Sequence, residues 1–226
     1  MENEIWQQST VLKACIDYNL KTFAKISQAI NTKKITNVVI AARGSSNHAA
    51  NYFKYVFESL AKIPVSLAAP GINTIYNSQL DLSSSLVIGV SQSGMAADVM
   101  AVLDNGKASG ALTLSVTNNP DSKMAKMTDY HLYCNAGEEK SVAATKTYTA
   151  QMCILGFLAA YHSQNQQVQQ ELTQVADNLS KIYDLKPQIQ SLAQKYKDLK
   201  SLIVIARGTN YAIAQEAALK IQETTY

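Results

Sequence analysis

The sequence predicts an α/β protein built on a doubly wound, flavodoxin-like parallel sheet, and three observations carry that prediction. Continuous apolar runs, Asn37-Val38-Val39-Ile40-Ala41-Ala42, Ser85-Leu86-Val87-Ile88-Gly89-Val90 and Ala111 to Val116, have the character of strands buried on both faces. Helical patterns separate them, as parallel neighbours require, because each crossover must travel back along the sheet. The loops Arg43-Gly44-Ser45-Ser46 and Ser91-Gln92-Ser93-Gly94 lead from strand straight into helix.

Taken in order, residues 4–30 place Trp6, Val11, Leu12, Cys15, Leu20, Phe23, Ile26 and Ile30 at mostly three- and four-residue intervals, a helical stripe broken once. After the first strand, Asn47 to Ala61 reads as a helix and Val65 to Ala69 as a short strand. Met95 to Ala108 is the helix after the second buried strand, and Thr117-Asn118-Asn119-Pro120 closes the third. Tyr130 to Cys134 reads as a last, edge strand, followed by a loop, Asn135 to Ala144, and an apolar helix, Thr145 to Tyr161. Residues 164–200 are Gln-rich and amphipathic, two helical patterns parted near Lys186-Pro187. Then Leu202-Ile203-Val204-Ile205-Ala206-Arg207-Gly208-Thr209 repeats Val38-Val39-Ile40-Ala41-Ala42-Arg43-Gly44-Ser45 almost letter for letter, the mark of a duplicated unit. The expected organisation is a helical amino-terminal segment (1–32), a first α/β domain (33–163), a helical connector (164–199) and the truncated start of a second copy (200–226).

Composition narrows the function. Of 226 residues, 47% are apolar and 16% charged, which suits a well-buried globule. The net charge of +3 is scattered, so neither a nucleic-acid nor a membrane footprint is expected. The first residues, Met1-Glu2-Asn3-Glu4, are acidic where a signal peptide would be basic. The longest apolar stretch, Met152 to Tyr161, falls short of the roughly 20 residues that span a bilayer, and a cytoplasmic location is expected. Cys15, Cys134 and Cys153 are odd in number and lack CxxC spacing, reading as buried thiols. His48, His131 and His162 do not pair with them at ligand spacing, so no metal site is expected.

Open α/β sheets bind ligands beyond the carboxyl ends of their strands, where strand order reverses. Three loops leave such ends with small hydroxyl residues: Gly44-Ser45-Ser46, Ser91-Gln92-Ser93-Gly94 and Val142-Ala143-Ala144-Thr145. The first two immediately precede helices, whose unpaired N–H groups and partial positive charge favour an anion. Ser hydroxyls and the Gln92 amide add donors, and glycine lets the backbone come close. The same serines are also good helix caps, and that reading stands beside the first. No Gly-x-Gly-x-x-Gly and no Gly-Lys-Ser/Thr occurs, which argues against dinucleotides and nucleoside triphosphates.

Ala-Arg-Gly-Ser-Ser (42–46), Ser-Gln-Ser-Gly (91–94) and Ser-Val-Ala-Ala-Thr-Lys (141–146) resemble the sugar-phosphate loops of the SIS (sugar isomerase) family. Glu216 to Tyr226 resembles the catalytic helix of a second SIS domain. The likeness is nearest to the isomerase half of glucosamine-6-phosphate synthase and its relatives without a glutaminase domain. It implies that Ser46, Ser91, Gln92 and Ser93 hold a 6-phosphate, with Gly44 and Ser45 beside them. It implies sugar contacts at Val142 and Ala144, a proton-transfer base at Glu223, a supporting Lys220, and Glu216 on the same helix. Met95 and Ala96 depart from the synthase's Glu and phosphate-binding Thr, and Ala144 from its Ser. The family's ring-opening His would lie beyond Tyr226, and Cys15 sits inside a helical stripe, which argues against glutamine-dependent amination.

The resemblance therefore implies an enzyme acting on an amino-sugar 6-phosphate, an isomerase or an ammonia-releasing deaminase, with no cofactor. A deglycase of sugar–amine 6-phosphates belongs to the same group. The rival is a non-catalytic sugar-phosphate sensor, but the stretch before Asn37 is short and not basic, unlike the DNA-binding domain such regulators carry. Residues 1–226 alone are expected to be inactive. It is also expected to form a homodimer, through an apolar strand and the stripe Ala212, Ala217, Leu219 and Ile221 left without a full domain to cover them.

Overall fold

The computed structural model describes residues 1–225, so Tyr226, the last residue of the expected second copy, lies outside it. Five parallel strands, β1 (Asn37–Ala42), β2 (Val65–Leu67), β3 (Ser85–Ser91), β4 (Leu112–Thr117) and β5 (Tyr130–Tyr133), form one sheet in the order β2-β1-β3-β4-β5. This is the flavodoxin-like order, whose reversal falls between β1 and β3. The two strands run in register over their whole length, from Asn37 opposite Ser85 to Ala42 opposite Val90.

Helices cover both faces. On one lie α2 (Gln8–Thr32), α3 (Gly44–Ala61), α7 (Lys146–His162) and α8 (Gln166–Asn178), whose Cys15, Phe23, Ile26, Phe53, Phe57, Ile154 and Leu158 meet Val38, Ile40, Leu86, Ile88, Leu114 and Leu132 of the sheet. On the other, α5 (Ala97–Ala108) and α6 (Lys123–Met127) bring Val99, Leu103 and Met124 onto Ala41 and Val87. Because α3 and α5 leave adjacent strands for opposite faces, the crevice between their first turns is a consequence of the topology. All three cysteines are buried. No helix among the described residues is long and apolar enough to cross a membrane.

The broken amino-terminal stripe is α1 (Glu2–Trp6) followed by α2, with Trp6 and Leu20 outside the core rather than in it. Trp6 packs edge-on against Tyr183, ring centroids 4.3 Å apart. The edge strand is closed by a side chain: Asn19 of α2 donates to the Tyr133 carbonyl (2.8 Å) and accepts from the Tyr133 N–H (3.1 Å), occupying ladder positions another strand would otherwise fill. The connector is α8, a 3₁₀ segment (Leu179–Leu185) and α9 (Lys186–Tyr196), with Pro187 in the first turn of α9 where its missing N–H costs nothing. A short helix, α4 (Gly71–Thr74), and α6 were not anticipated.

Two expectations need correction. The first helix after β1 begins at Gly44 and not at Asn47, so Ser45 and Ser46 belong to its first turn. The repeat Leu202 to Ala206 is not a strand. It pairs with no strand among the described residues, and Ile203 and Ile205 are 82% and 86% exposed. An apolar run becomes a strand only when neighbours accept its hydrogen bonds, and none stands beside it. Its helix does form, as α10 (Asn210–Thr225), which packs on α3.

Leu114, fully buried at the centre of β4, and Ile205 make a paired test. Leu114→Ala should lower unfolding free energy by about 2–5 kcal/mol, whereas Ile205→Ser should change that of the monomer, at dilute concentration, by less than about 0.5 kcal/mol. Urea unfolding of both variants measures the contrast.

Candidate functional site

The crevice at the strand reversal is lined by the starts of α3 and α5. Gly44 opens α3 with φ +53°, a conformation glycine adopts freely, and no Cβ contact would arise there. Ser46 is buried in the first turn and Ser45 half-buried beside it. Across the crevice, β3 ends at Ser91, whose Oγ accepts from the Gly94 N–H (3.2 Å), and Ser93 Oγ accepts from the Met95 N–H (3.3 Å). Gln92 and Ser93 are exposed to solvent. Gly94 is forced: its φ is +66°, and a Cβ would lie 2.2 Å from Ser122 Oγ.

Neither helix carries a side-chain cap. The N-cap positions are Arg43 for α3 and Ala96 for α5, and no side chain bonds to the first turn from either. The serines therefore tighten the loop instead of closing the helix ends. In α5 the Val99 N–H is taken by Asp98 Oδ1 (3.0 Å), and the N–H groups ahead of it and at the start of α3 are left for a ligand. Arg43 ion-pairs with Asp98, so the two helix starts are also linked across the crevice.

The third loop is different. Glu139 accepts from the Thr145 N–H (2.8 Å) and Thr145 Oγ1 (2.9 Å) and also bonds the Thr147 hydroxyl, so a carboxylate already occupies the start of α7. Glu4 of α1 accepts from the Lys140 N–H (2.5 Å) and the Ser141 N–H (3.3 Å) and bonds the Ser141 hydroxyl. The Ser141 hydroxyl above all holds the Glu4 carboxyl down at about 2, against the opposing effect of burial. With its anionic positions taken, this loop offers an incoming ligand neutral contacts.

Helix α10 carries the carboxylates. Glu216, 5% exposed, accepts from His48 Nδ1 of α3 (2.6 Å), lies within hydrogen-bonding reach of Ser45, and has Lys220 Nζ 3.3 Å away. Burial pushes the Glu216 carboxyl up, but His48, Ser45 and the Lys220 charge outweigh it and hold it below the usual carboxylate range. Stability from this junction is thus present above the ordinary carboxylate pKa and is lost as pH falls through the lowered value. Burial first, and the Glu216 charge second, push the neighbouring Tyr148 hydroxyl upward. Lys220 also reaches Glu223 at 2.6 Å. A cavity of about 360 Å³ opens between Ala144, Thr145 and Tyr148 of the third loop and α7, and Glu216, Lys220 and Thr224 of α10.

The structure thus brings Gly44, Ser45 and Ser46 opposite Ser91, Gln92 and Ser93, and gathers Ala144, Glu216 and Lys220 round one cavity. Glu223 meets this group through Lys220, its side chain 30% exposed. Val142 stands apart, 95% exposed at the loop tip and outside the cavity lining. His48, Glu4, Glu139 and Tyr148 were not anticipated. The partner of His48 lies 168 residues away and the loop partners of Glu4 at least 136, separations that no local pattern spans. No group of three or more His, Cys, Asp or Glu side chains suited to a metal ion occurs among the described residues.

An open parallel sheet with an uncapped pair of helix starts at its reversal, overlaid by a carboxylate-bearing helix, defines a doubly wound α/β domain for small anionic ligands. The SIS domain model matches residues 31–161, and the chain belongs to the SIS-domain family. It is 34% identical to the glutamine–fructose-6-phosphate aminotransferase (isomerizing) of Pyrococcus horikoshii over 235 residues, covering all of this chain and 38% of that protein. The corresponding protein of Oceanobacillus iheyensis is 35% identical over 237 residues, covering all of this chain and 39% of that one. The chain thus spans about two-fifths of the length of these relatives. A crystal structure from Silicibacter pomeroyi DSS-3, assigned as a phosphosugar isomerase, superposes with a TM-score of 0.92 at 29% identity, covering 99% of this chain and 68% of that one. The carboxyl-terminal domain of glucosamine-fructose-6-phosphate aminotransferase from Francisella tularensis gives 0.83 at 25% identity, covering 99% and 66%.

Gly94 tests whether the crevice is a built anion site. A side chain there meets Ser122 and an unfavourable φ, a strain of roughly 1–2 kcal/mol. Gly94→Ala should therefore weaken binding of inorganic phosphate by about tenfold, measured by titration calorimetry, with the fold retained by circular dichroism.

Proposed function

We propose that this chain binds a sugar 6-phosphate and forms part of an enzyme that isomerises an aldose and a ketose phosphate, or deaminates an amino-sugar phosphate by the same first step. One observation carries the reading: two helices without side-chain caps, α3 and α5, open on the same crevice at the strand reversal. The phosphate belongs there, held by N–H groups and by Ser46, Ser91, Gln92 and Ser93, with Gly44 and Ser45 alongside. The sugar then extends towards Ala144 and the cavity beneath α10, and Val142 lies within the same loop.

Glu223 is the proposed base. Its carboxylate takes the proton from the carbon beside the carbonyl, the C–H electrons pass into an enediolate, and the proton returns to the neighbouring carbon. Lys220, 2.6 Å from Glu223, supplies positive charge for the developing oxyanion. Glu216, buried against His48, holds the helix that carries both. The cytoplasm, where sugar phosphates are metabolised, is the proposed location.

Glucosamine 6-phosphate should bind and unphosphorylated glucosamine should not, with Ser91→Ala or Ser93→Ala weakening the former roughly 10–100-fold. In the full-length protein, Glu223→Gln should leave substrate affinity intact and lower turnover by about 10²–10⁴. Glu216→Gln should cost far less turnover while lowering thermal stability. Equal binding of both sugars sinks the phosphate reading, and normal turnover by Glu223→Gln sinks the base.

A homodimer is part of the proposal, since Leu202, Ile203 and Ile205 leave a continuous exposed apolar segment. Light scattering at high protein concentration should report twice the chain mass, and Ile203→Asp should shift it to one.

A further inference from the structure

We propose that Glu4 is a positioning residue for the loop that receives the sugar, and that α1 is a clasp for this site. The inference rests on the sugar-phosphate reading and deepens it. Residues 135–145 contain no helix or strand, so their position depends on what holds them. Glu139 secures one end, at the start of α7, from within the loop. Asn118 holds the other end, accepting from the Ala136 N–H (2.9 Å) and donating to the Gly137 carbonyl (2.7 Å). Towards the tip, the hold from outside is Glu4, 7% exposed, which takes two backbone N–H groups and one hydroxyl from the consecutive residues Lys140 and Ser141. Those bonds lie directly before Val142, Ala143 and Ala144.

The same short helix touches the other parts of the site. Gln7, which joins α1 to α2, accepts from the buried Lys146 Nζ at 2.8 Å, a residue in the first turn of α7. Ile5 of α1 and Gln8 line the cavity together with Ala144 and Lys220. On its outer side α1 is tied to the connector: the Tyr183 hydroxyl donates to the Ile5 carbonyl (2.9 Å), and Glu2 pairs with Lys186 (2.5 Å). The loop, the cavity and the connector leading to α10 thus share one bracket. Burying a carboxylate costs several kcal/mol unless its lone pairs are met. The Met1 amino group also pairs with Glu4 at 3.2 Å, within the same helix start. Every donor from outside comes from the segment next to the proposed sugar contacts, so losing the Glu4 charge releases that segment first.

The phosphate crevice is built from other elements, which separates a positioning role from a general structural one. Wild-type chain, Glu4→Gln and Glu4→Asp are titrated with glucosamine 6-phosphate and with inorganic phosphate, and amide hydrogen exchange is followed at Lys140, Ser141 and Ser91–Gly94. Glu4→Gln should weaken the sugar phosphate about tenfold or more and change inorganic phosphate by less than about twofold. Exchange should quicken at Lys140 and Ser141 and stay constant at Ser91–Gly94, with Glu4→Asp between the two. Unchanged affinity for the sugar phosphate, or an equal loss for both ligands, overturns the clasp. If the wild type binds the sugar phosphate no more tightly than phosphate, the sugar reading has failed instead. Exchange then decides the clasp alone: faster at Lys140 and Ser141 upholds it, and unchanged exchange there overturns it.

Discussion

Strands β1 and β3 lie side by side and send their helices to opposite faces of the sheet, and the crevice that this divergence opens governs the rest of the site. The first N–H groups of any helix lack carbonyl partners and must be met by side chains, water or ligand. At α3 and α5 the N-cap residues leave them uncapped, Asp98 takes only the Val99 N–H of α5, and the serines close the intervening loop on itself. At α7, Glu139 takes the Thr147 N–H of the first turn together with the N–H and hydroxyl of the cap residue Thr145. Three loops that look alike in composition are thereby divided by charge. Two can take an anion, since the one carboxylate there, Asp98, is paired with Arg43, and the third has its donors already occupied by two carboxylates, Glu139 and Glu4. A phosphate at one end and an uncharged polar body at the other is the ligand this division suits.

The second organising contact is Glu216. A buried carboxylate must recover its lost hydration, and a half-met one would destabilise the fold. Here His48, in the opening turns of α3, meets Oε2, while Oε1 has no hydrogen-bond partner and is compensated by the Lys220 charge 3.3 Å away. The helix carrying the proposed base is therefore fastened to the helix that begins at the proposed phosphate site. Lys220 sits between Glu216 and Glu223 at 3.3 and 2.6 Å, so the charge beside Glu223 is fixed by the buried anchor. Movement of α10 against α3 would alter both ends of the ligand site together.

Much of the fold was legible because burial on both faces writes itself into a strand as a continuous apolar run. Strands β1, β3 and β4 stand within a residue of where such runs lie. The serine loops were legible for the same reason, since their chemistry is local. What the pattern could not carry was partnership. Asn19 reads as a polar interruption in an apolar stripe, and only the fold reveals it as the cover of Tyr133. His48 reads as an isolated histidine, and Glu4 as an acid near a terminus, until chain segments far apart in sequence meet. The repeat at 202–206 failed in the opposite sense: its apolar pattern records a capacity for burial, and the described residues supply no strand to realise it.

That failure sharpens the account of α10. Its preceding segment lies exposed, so the helix is not held by a sheet of its own. It is held by its contact with α3, where the small side chains of Ala212 and Ala214 allow close approach. Alanine packing alone is weakly directional, because short side chains interlock little and a rotation about the axis costs few contacts. The polar pairs remove that freedom. Glu216 to His48 and Gln215 to Asn51 (3.2 Å) come from adjacent residues of α10 and engage positions three apart on α3, nearly one turn. Two bonds at separate heights on a neighbouring helix fix rotation and register together. The orientation of Lys220 and Glu223 thus follows from the geometry of α3 and the two polar pairs that fix α10 across it.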